Sequence, residues 1–244
     1  MLCTALAYLT IHTHQIWPTL VDDITQAFSA DIDQAFCLLQ VLKYMANDCD
    51  NESIVIEDSL RQTYYGRLDE AAREKIFKGI FEQWAQNLPA LQANPAIDKT
   101  KLLRLRNRIL DTFESWIRLA LPDEVFENLV NDCPHLIEML FAELDSEEDD
   151  NLTTAVNCIV ELISLSQKRD RYGAIKQTVI SKVGDLQGHV QRVVASGDFE
   201  RADQFAEIFV ELARSHMGQI VDDGSAIVDI LLSIFQMEES NCKI

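Results

Sequence analysis

The residues of this chain best placed to do chemistry are charged, and the chemistry they offer is recognition. Asp145, Glu147, Glu148, Asp149 and Asp150 form an acidic run between two apolar segments. Such a run can contact a basic partner. It can also be a solvated turn whose later members sit at a helix N-terminus, where the dipole favours negative charge; that is the commoner role of such runs. Lys101, Arg104 and Arg108 fall at i, i+3 and i+7, with Lys99 and Arg106 beside them. This basic stripe suits an acidic surface on a partner or on a neighbouring repeat. It also reads as the polar face of a helix whose other face is Leu102, Leu105, Ile109 and Phe113. His12 and His14 are two apart and point to different sides of a helix, which is poor geometry for a metal. The patterns GxGxxG, GxxxxGK[ST] and GxSxG are absent, and carboxylates without a positioned partner are not a catalytic site. Neither enzyme chemistry nor a cofactor is expected.

The elements that must carry these charges are helices. Leu152, Ala155, Val156, Ile159, Val160 and Ile163 fall at i, i+3, i+4, i+7, i+8 and i+11, one apolar stripe of period 3.6. Ile175, Val179, Val183, Leu186, Val190 and Val193 make a second stripe. Ala202, Phe205, Ala206, Phe209 and Ala213 make a third, and Ile227, Ile230, Leu231, Ile234 and Phe235 a fourth. No stretch alternates with period two. The pattern gives about ten helices in about five antiparallel pairs, with a period of about 45 to 50 residues. The pairs are 2–11 with 18–28, 32–45 with 69–87, 99–121 with 134–144, 151–167 with 172–196, and 199–221 with 225–237. A short helix starts at Asp123. Pro18 and Pro134 suit first helical positions, Asp98 suits an N-cap, and Gly197 suits a helix stop. Each pair needs its neighbours to bury its stripe, so the fold class is an all-α HEAT-repeat α-α solenoid, a right-handed superhelix segment. Trp116 lies on the stripe of Phe113 and reads as core. Trp17 and Trp84 read as core or groove residues, or as interface anchors if exposed.

Leu2, Ala5, Leu6, Ala7 and Leu9 at one end, and Ile230, Ile234 and Phe235 at the other, lack a polar capping face. The expectation is that residues 1–244 are a single HEAT-repeat segment of a longer solenoid, or an atypically capped one.

Composition narrows the function. The net charge is −19, from 21 basic and 40 acidic residues, so a phosphate backbone would be repelled and direct nucleic-acid binding is not expected. A basic protein partner is compatible with that charge. The 8 Gly and 5 Pro are too few for a turn-rich β protein, and no Pro follows Pro134. The 6 cysteines show no CxxC. Cys37 and Cys158 sit among apolar residues, which fits a reducing cytosolic or nuclear compartment. No apolar run reaches the roughly 18 residues of a membrane span, and Met1 to Thr10 lacks the features of a signal peptide.

Five stretches, in order, resemble one family. They are Leu2-Cys3-Thr4-Ala5-Leu6-Ala7; Ser115-Trp116-Ile117-Arg118-Leu119; Leu144-Asp145-Ser146-Glu147 leading into Ala155-Val156-Asn157-Cys158-Ile159-Val160; Val194-Ala195-Ser196-Gly197-Asp198-Phe199-Glu200; and Ile208-Phe209-Val210-Glu211-Leu212. The chain resembles the amino-terminal third of β-karyopherins of the importin-13/transportin-3 branch. The resemblance implies a nuclear transport receptor that shuttles between nucleus and cytoplasm. It implies Ran in its GTP form, nucleoporins and protein cargo, basic or arginine–serine-rich, as partners. In that family the first few repeats supply much of the Ran contact, and the arginine–serine-rich cargo class engages later repeats. The matched stretches transfer no single functional residue. The alternative left open by the residues is a HEAT-repeat scaffold or adaptor unrelated to nuclear transport.

Overall fold

The computed structural model describes residues 2–28, 31–49, 51, 53–119, 121, 123–167, 173–216 (the side chain of Gln187 aside), 228, 229, 231, 232 and 234. Every regular element among them is helical. The chain divides into two compact units, Met1–Glu143 and Leu144–Ile244.

The first unit begins with α1 (Leu2–Thr13), α2 (Leu20–Ala27) and α3 (Ile32–Cys49). Then α4 (Asp58–Ala71) runs through a π-helical stretch, Ala72–Glu82, directly into α5 (Gln83–Gln92). After α6 (Lys99–Arg118) come the short α7 (Asp123–Glu127) and α8 (Leu129–Asp132), and then α9 (Pro134–Ala142). Helix α3 packs on both α1 and α6. Its bonds to α6 give the direction: Asp33 pairs with Lys101, Lys43 pairs with Asp111, and the carbonyls of Leu39 and Leu42 accept from Thr112 and Trp116. Residue numbers rise together on both helices, so α3 and α6 run parallel. The second layer behaves likewise. Asp132, just before α9, pairs with Arg73 and Lys78, and His135 within α9 pairs with Glu82, 53 residues upstream. Parallel helices one repeat apart, with the chain returning between them, are the mark of a stacked array.

The second unit repeats the device. It contains α10 (Asp149–Gln167), α11 (Gly173–Asp185), α12 (Gln187–Ser196) and α13 (Phe199–His216). Gln204 bonds Thr153, 51 residues back, and His216 bonds Ser166, 50 residues back. Helices α10 and α13 are therefore parallel in a near-constant register. The apolar stripe of α10 is its buried face: Leu152, Ala155, Val156, Ile159 and Ile163 are all in the core.

Several boundaries differ from the sequence reading, each for a physical reason. The second pair's return helix starts at Asp58 and not at residue 69. Only Tyr64, Leu68 and Ala71 of α4 are buried, so its period is faint, and Tyr64 is fixed by a 2.7 Å bond to Thr10 of α1. Pro18 lies in the turn before α2 and not at its first position. Helix α6 ends at Arg118, short of residue 121, and the expected helix over 172–196 is broken at Leu186. Asp98 does cap α6, accepting from the Thr100 N–H at 3.0 Å, and Pro134 does open α9. Gly197 ends α12 at φ 77°, a left-handed conformation that favours glycine. Of the last expected helix, residues 228, 229, 231, 232 and 234 are helical; Ile234 is buried and Val228 and Leu232 are exposed. Ile230 and Phe235 lie outside the described residues.

The core of the first unit is aromatic. Phe77 meets Phe81, Phe113, Phe126 and Trp116 edge to face, with ring centres 5.6 to 6.5 Å apart. The π-helical stretch makes this cluster. Ala72, Ile76, Phe77, Ile80 and Phe81 are all buried. The wider turn brings the Glu74 carbonyl within 3.0 Å of where a Cβ on Gly79 would stand. The outer face of α1 carries exposed Leu2, Tyr8 and Leu9. No helix among the described residues is long and apolar enough to cross a membrane.

Candidate functional site

The acidic run lies in the second unit, at the start of α10. The Glu148 carbonyl accepts from the N–H groups of Asn151 and Leu152 and begins the helix. Asp149 and Asp150 occupy its first turn, where negative charge complements the unpaired amides. That much is the ordinary role of such residues.

The structure adds a setting that the run alone did not disclose. Arg201, in the first turn of α13, donates to the Ser146 carbonyl at 2.7 Å and lies 3.5 Å from both Asp149 and Asp198. His189 of α12 pairs through Nδ1 with Asp145 at 2.6 Å and lies tilted against Phe205, ring centres 5.0 Å apart. These contacts fold the run against α12 and the N-terminus of α13. Between them lies an open groove of about 580 Å³ lined by Glu147, Asp149, His189, Arg192, Val193, Ser196, Asp198 and Arg201. Asp145, Glu147, Glu148, Asp149 and Asp150 are all exposed, as are Glu200 and Asp203 of α13. Negative groups outnumber Arg192 and Arg201, so the face around the groove is acidic. Among the described residues no group of three or more His, Cys, Asp or Glu is placed to hold a metal ion.

The basic stripe lies in the first unit, apart from the acidic run in the chain's organisation. Lys101 pairs with Asp33 of α3 at 2.7 Å. Arg108 pairs with Asp111 at 3.1 Å, and Asp111 also takes Lys43 at 2.6 Å. Arg106 reaches Glu143 and Gln92. Arg104 is exposed. Lys101 and Arg106 thus join α6 to its neighbours, while Arg108 pairs within α6 beside the Lys43–Asp111 bridge to α3.

The tryptophans sort by environment. Trp116 is fully buried. Trp17 and Trp84 are half-buried, and the Trp17 indole donates to Asp23 at 2.6 Å. With the Thr19 hydroxyl, that bond holds the Asp23 carboxyl below its ordinary pKa. Cys49, Cys133 and Cys158 are buried. Burial, with Glu82 and Asp132 nearby, pushes the Cys133 thiol up to about 12, so it packs as a small hydrophobe.

Sequence reasoning missed His189, Arg192, Asp198 and Arg201 as companions of the acidic run. The one local signal was Asp198 followed at i+3 by Arg201, directly after the Gly197 stop. It also missed Glu82, whose carboxylate accepts from the N–H groups of His135 and Leu136 and caps α9 from another helix.

Comparison with known proteins agrees with this architecture. Residues 1–159 match the family model described as exportin 1-like protein. The chain is 26% identical to chicken importin-13 over 231 residues. It is 27% identical to the rat importin-13 and 26% to the human one, over 229 residues each. These alignments cover 91% of this chain and 21% of each importin-13, so the chain spans about a fifth of the length of these relatives.

Proposed function

Because the chain belongs to the exportin 1-like family, we propose that it is a segment of a nuclear transport receptor that works by reversible protein binding. Its partners are Ran in the GTP form, protein cargo and nucleoporins, and it shuttles between nucleus and cytoplasm. The single observation that carries this reading is the alignment to importin-13 over 91% of the chain, on a fold of stacked parallel helices. The reading extends to a receptor longer than this chain, a solenoid in which residues 1–244 supply several helix pairs. Small shifts at each helix interface add along such an array, which lets one partner's binding alter another's.

The acidic groove is the contact we assign within this segment. Asp145, Glu147, Glu148, Asp149 and Asp150 face outward beside Asp198 and Glu200, in a chain of net charge −19. Such a surface speeds encounter with a basic cargo or with a basic patch on a regulator. Lys101 is assigned to the contact between α6 and α3 and Arg108 to its pair with Asp111 within α6, which leaves the exposed Arg104 the member most open to a partner.

The experiment is a pull-down of the full-length receptor on immobilised Ran locked in its GTP or its GDP form. Retention on the GTP form alone supports the reading. Equal retention on both forms, or on neither, removes it.

A further inference from the structure

We propose that Cys3 and Cys37 form a site of reversible oxidative modification, a dithiol that a hydroperoxide converts to a disulfide tying α1 to α3. Each residue stands near the start of its helix, at one end of a packed seam. On α1, Cys3, Ala7, Thr10 and Ile11 fall at i, i+4, i+7 and i+8, and the last three are buried. On α3, Cys37, Val41 and Met45 fall at i, i+4 and i+8, and Val41 and Met45 are buried. Each cysteine therefore lies on the inward stripe of its helix, and α1 packs on α3. The thiols meet there, joined by a hydrogen bond between the two side chains.

Both cysteines are half-buried, so a small oxidant dissolved in water can reach them, whereas Cys49, Cys133 and Cys158 are buried. Cys3 and Cys37 are thus the accessible thiols among the described residues. The chemistry is two successive displacements. The Cys37 thiolate attacks an oxygen of hydrogen peroxide, breaks the O–O bond, releases hydroxide and becomes a sulfenic acid. The Cys3 thiol then attacks that sulfur. The S–S bond forms as the S–O bond breaks, and the Cys3 proton leaves with the departing hydroxide as water. Two thiols and one peroxide give one disulfide and two waters. The sulfurs lose two electrons and the peroxide gains them.

Contact, rather than acidity, sets this pair apart. Burial first, and then Cys37, raises the pKa of the Cys3 thiol. Cys3 is therefore protonated at neutral pH, which suits it to the second step. That step joins groups already touching, so the sulfenic acid is captured before it can be oxidised further. Reduction by a dithiol reverses the change. The consequence is mechanical. The outer face of α1 carries exposed Leu2, Tyr8 and Leu9, and the helix is held chiefly by its seam with α3. A disulfide across that seam removes the freedom of α1 to part from α3. This inference is independent of the transport reading, since it concerns a covalent change within the first unit.

The test treats the full chain, reduced and then freed of reductant, with hydrogen peroxide. Remaining thiols are blocked with N-ethylmaleimide, and the chain is digested with chymotrypsin without reductant for mass spectrometry. The expected product is a peptide carrying Cys3 joined to one carrying Cys37, formed without dimerisation and lost on treatment with dithiothreitol. The oxidised parent should also melt higher than its reduced form, by on the order of 5 °C, and Cys37→Ser should lack that shift. Recovery of Cys3 and Cys37 as blocked thiols, as sulfinic acids, or joined to other cysteines would overturn the proposal. A melting shift absent from the parent, or equally present in Cys37→Ser, would overturn the tie between α1 and α3.

Discussion

Trp116 donates its indole N–H to the carbonyl oxygen of Leu42 at 3.1 Å, across the seam between α6 and α3. The donor is fully buried, and its ring stands edge-on to Phe77. One side chain therefore ties together the two parallel helices and the π-helical stretch of the same unit. Trp116→Ala removes both the ring and the bond and should cost about 3–5 kcal/mol. Trp116→Phe keeps most of the ring and should cost about 0.5–1.5 kcal/mol for the lost donor, besides any repacking. Urea unfolding followed by circular dichroism gives both values. Equal losses for the two variants would contradict the packing described.

Two glycines on one continuous rod should respond oppositely to alanine. A Cβ on Gly66 in α4 meets nothing within 4 Å. Gly66→Ala should therefore stabilise by about 0.4–1 kcal/mol through the lower entropy of the unfolded chain. A Cβ on Gly79 would lie 3.0 Å from the Glu74 carbonyl. Gly79→Ala should lose that gain or destabilise, because the carbonyl belongs to the same π-helical turn. Thermal melts of the two variants decide it. A Gly79→Ala chain as stable as Gly66→Ala would mean that the wide turn readily tightens.

His216 gives the second unit a pH response. It is buried, with Nε2 2.9 Å from the Ser166 hydroxyl. Its pKa is held below the ordinary value, first by burial and then by Lys176. The folded state thus prefers the neutral ring, and the unfolded chain takes up a proton more readily. His216 costs nothing above its ordinary pKa of about 6.5; as pH falls through that value, it withdraws stability. Burial raises the pKa of Asp48 and Asp69 and works the other way. The informative quantity is therefore the difference between the parent and His216→Gln. The parent should lose melting temperature relative to the variant between about pH 7 and 5. A difference that is flat across this window would show that His216 titrates alike in both states.

Neutralising the acidic run tests the groove. In the full-length receptor, Asp145, Glu147, Glu148, Asp149 and Asp150 replaced by Asn, Gln or Ser should slow association with a basic partner and flatten its salt dependence. Exposed charges at a contact act mainly on the on-rate and are screened by salt. Stopped-flow rates at low and high salt measure it. Unchanged rates at low salt would leave the run as a solvated helix start.

What the sequence disclosed follows from where the restraining contacts lie. The stripe of α10 was legible because Leu152, Ala155, Val156, Ile159 and Ile163 all face one core and repeat with the helix period. Helix α4 was not, because most of its residues are polar and Tyr64 is fixed by a partner 54 residues away. The stretch over 72–82 was legible as helix because Ala72, Ile76, Phe77, Ile80 and Phe81 recur at helical spacing, but that spacing does not distinguish a π-helical turn from an α-helical one. The same limit governs the groove. The five carboxylates are adjacent in sequence and stood out at once. Arg201, which holds them, is 55 residues from Ser146, and no local pattern links positions so far apart.

Passage through nuclear pores is the property that separates a transport receptor from any other stacked-helix protein. The full-length receptor, fluorescently labelled, can be applied to permeabilised cells beside an inert protein of the same size. The account predicts that the receptor enters intact nuclei within minutes while the inert protein stays outside. A receptor excluded from nuclei like the inert protein would contradict the account.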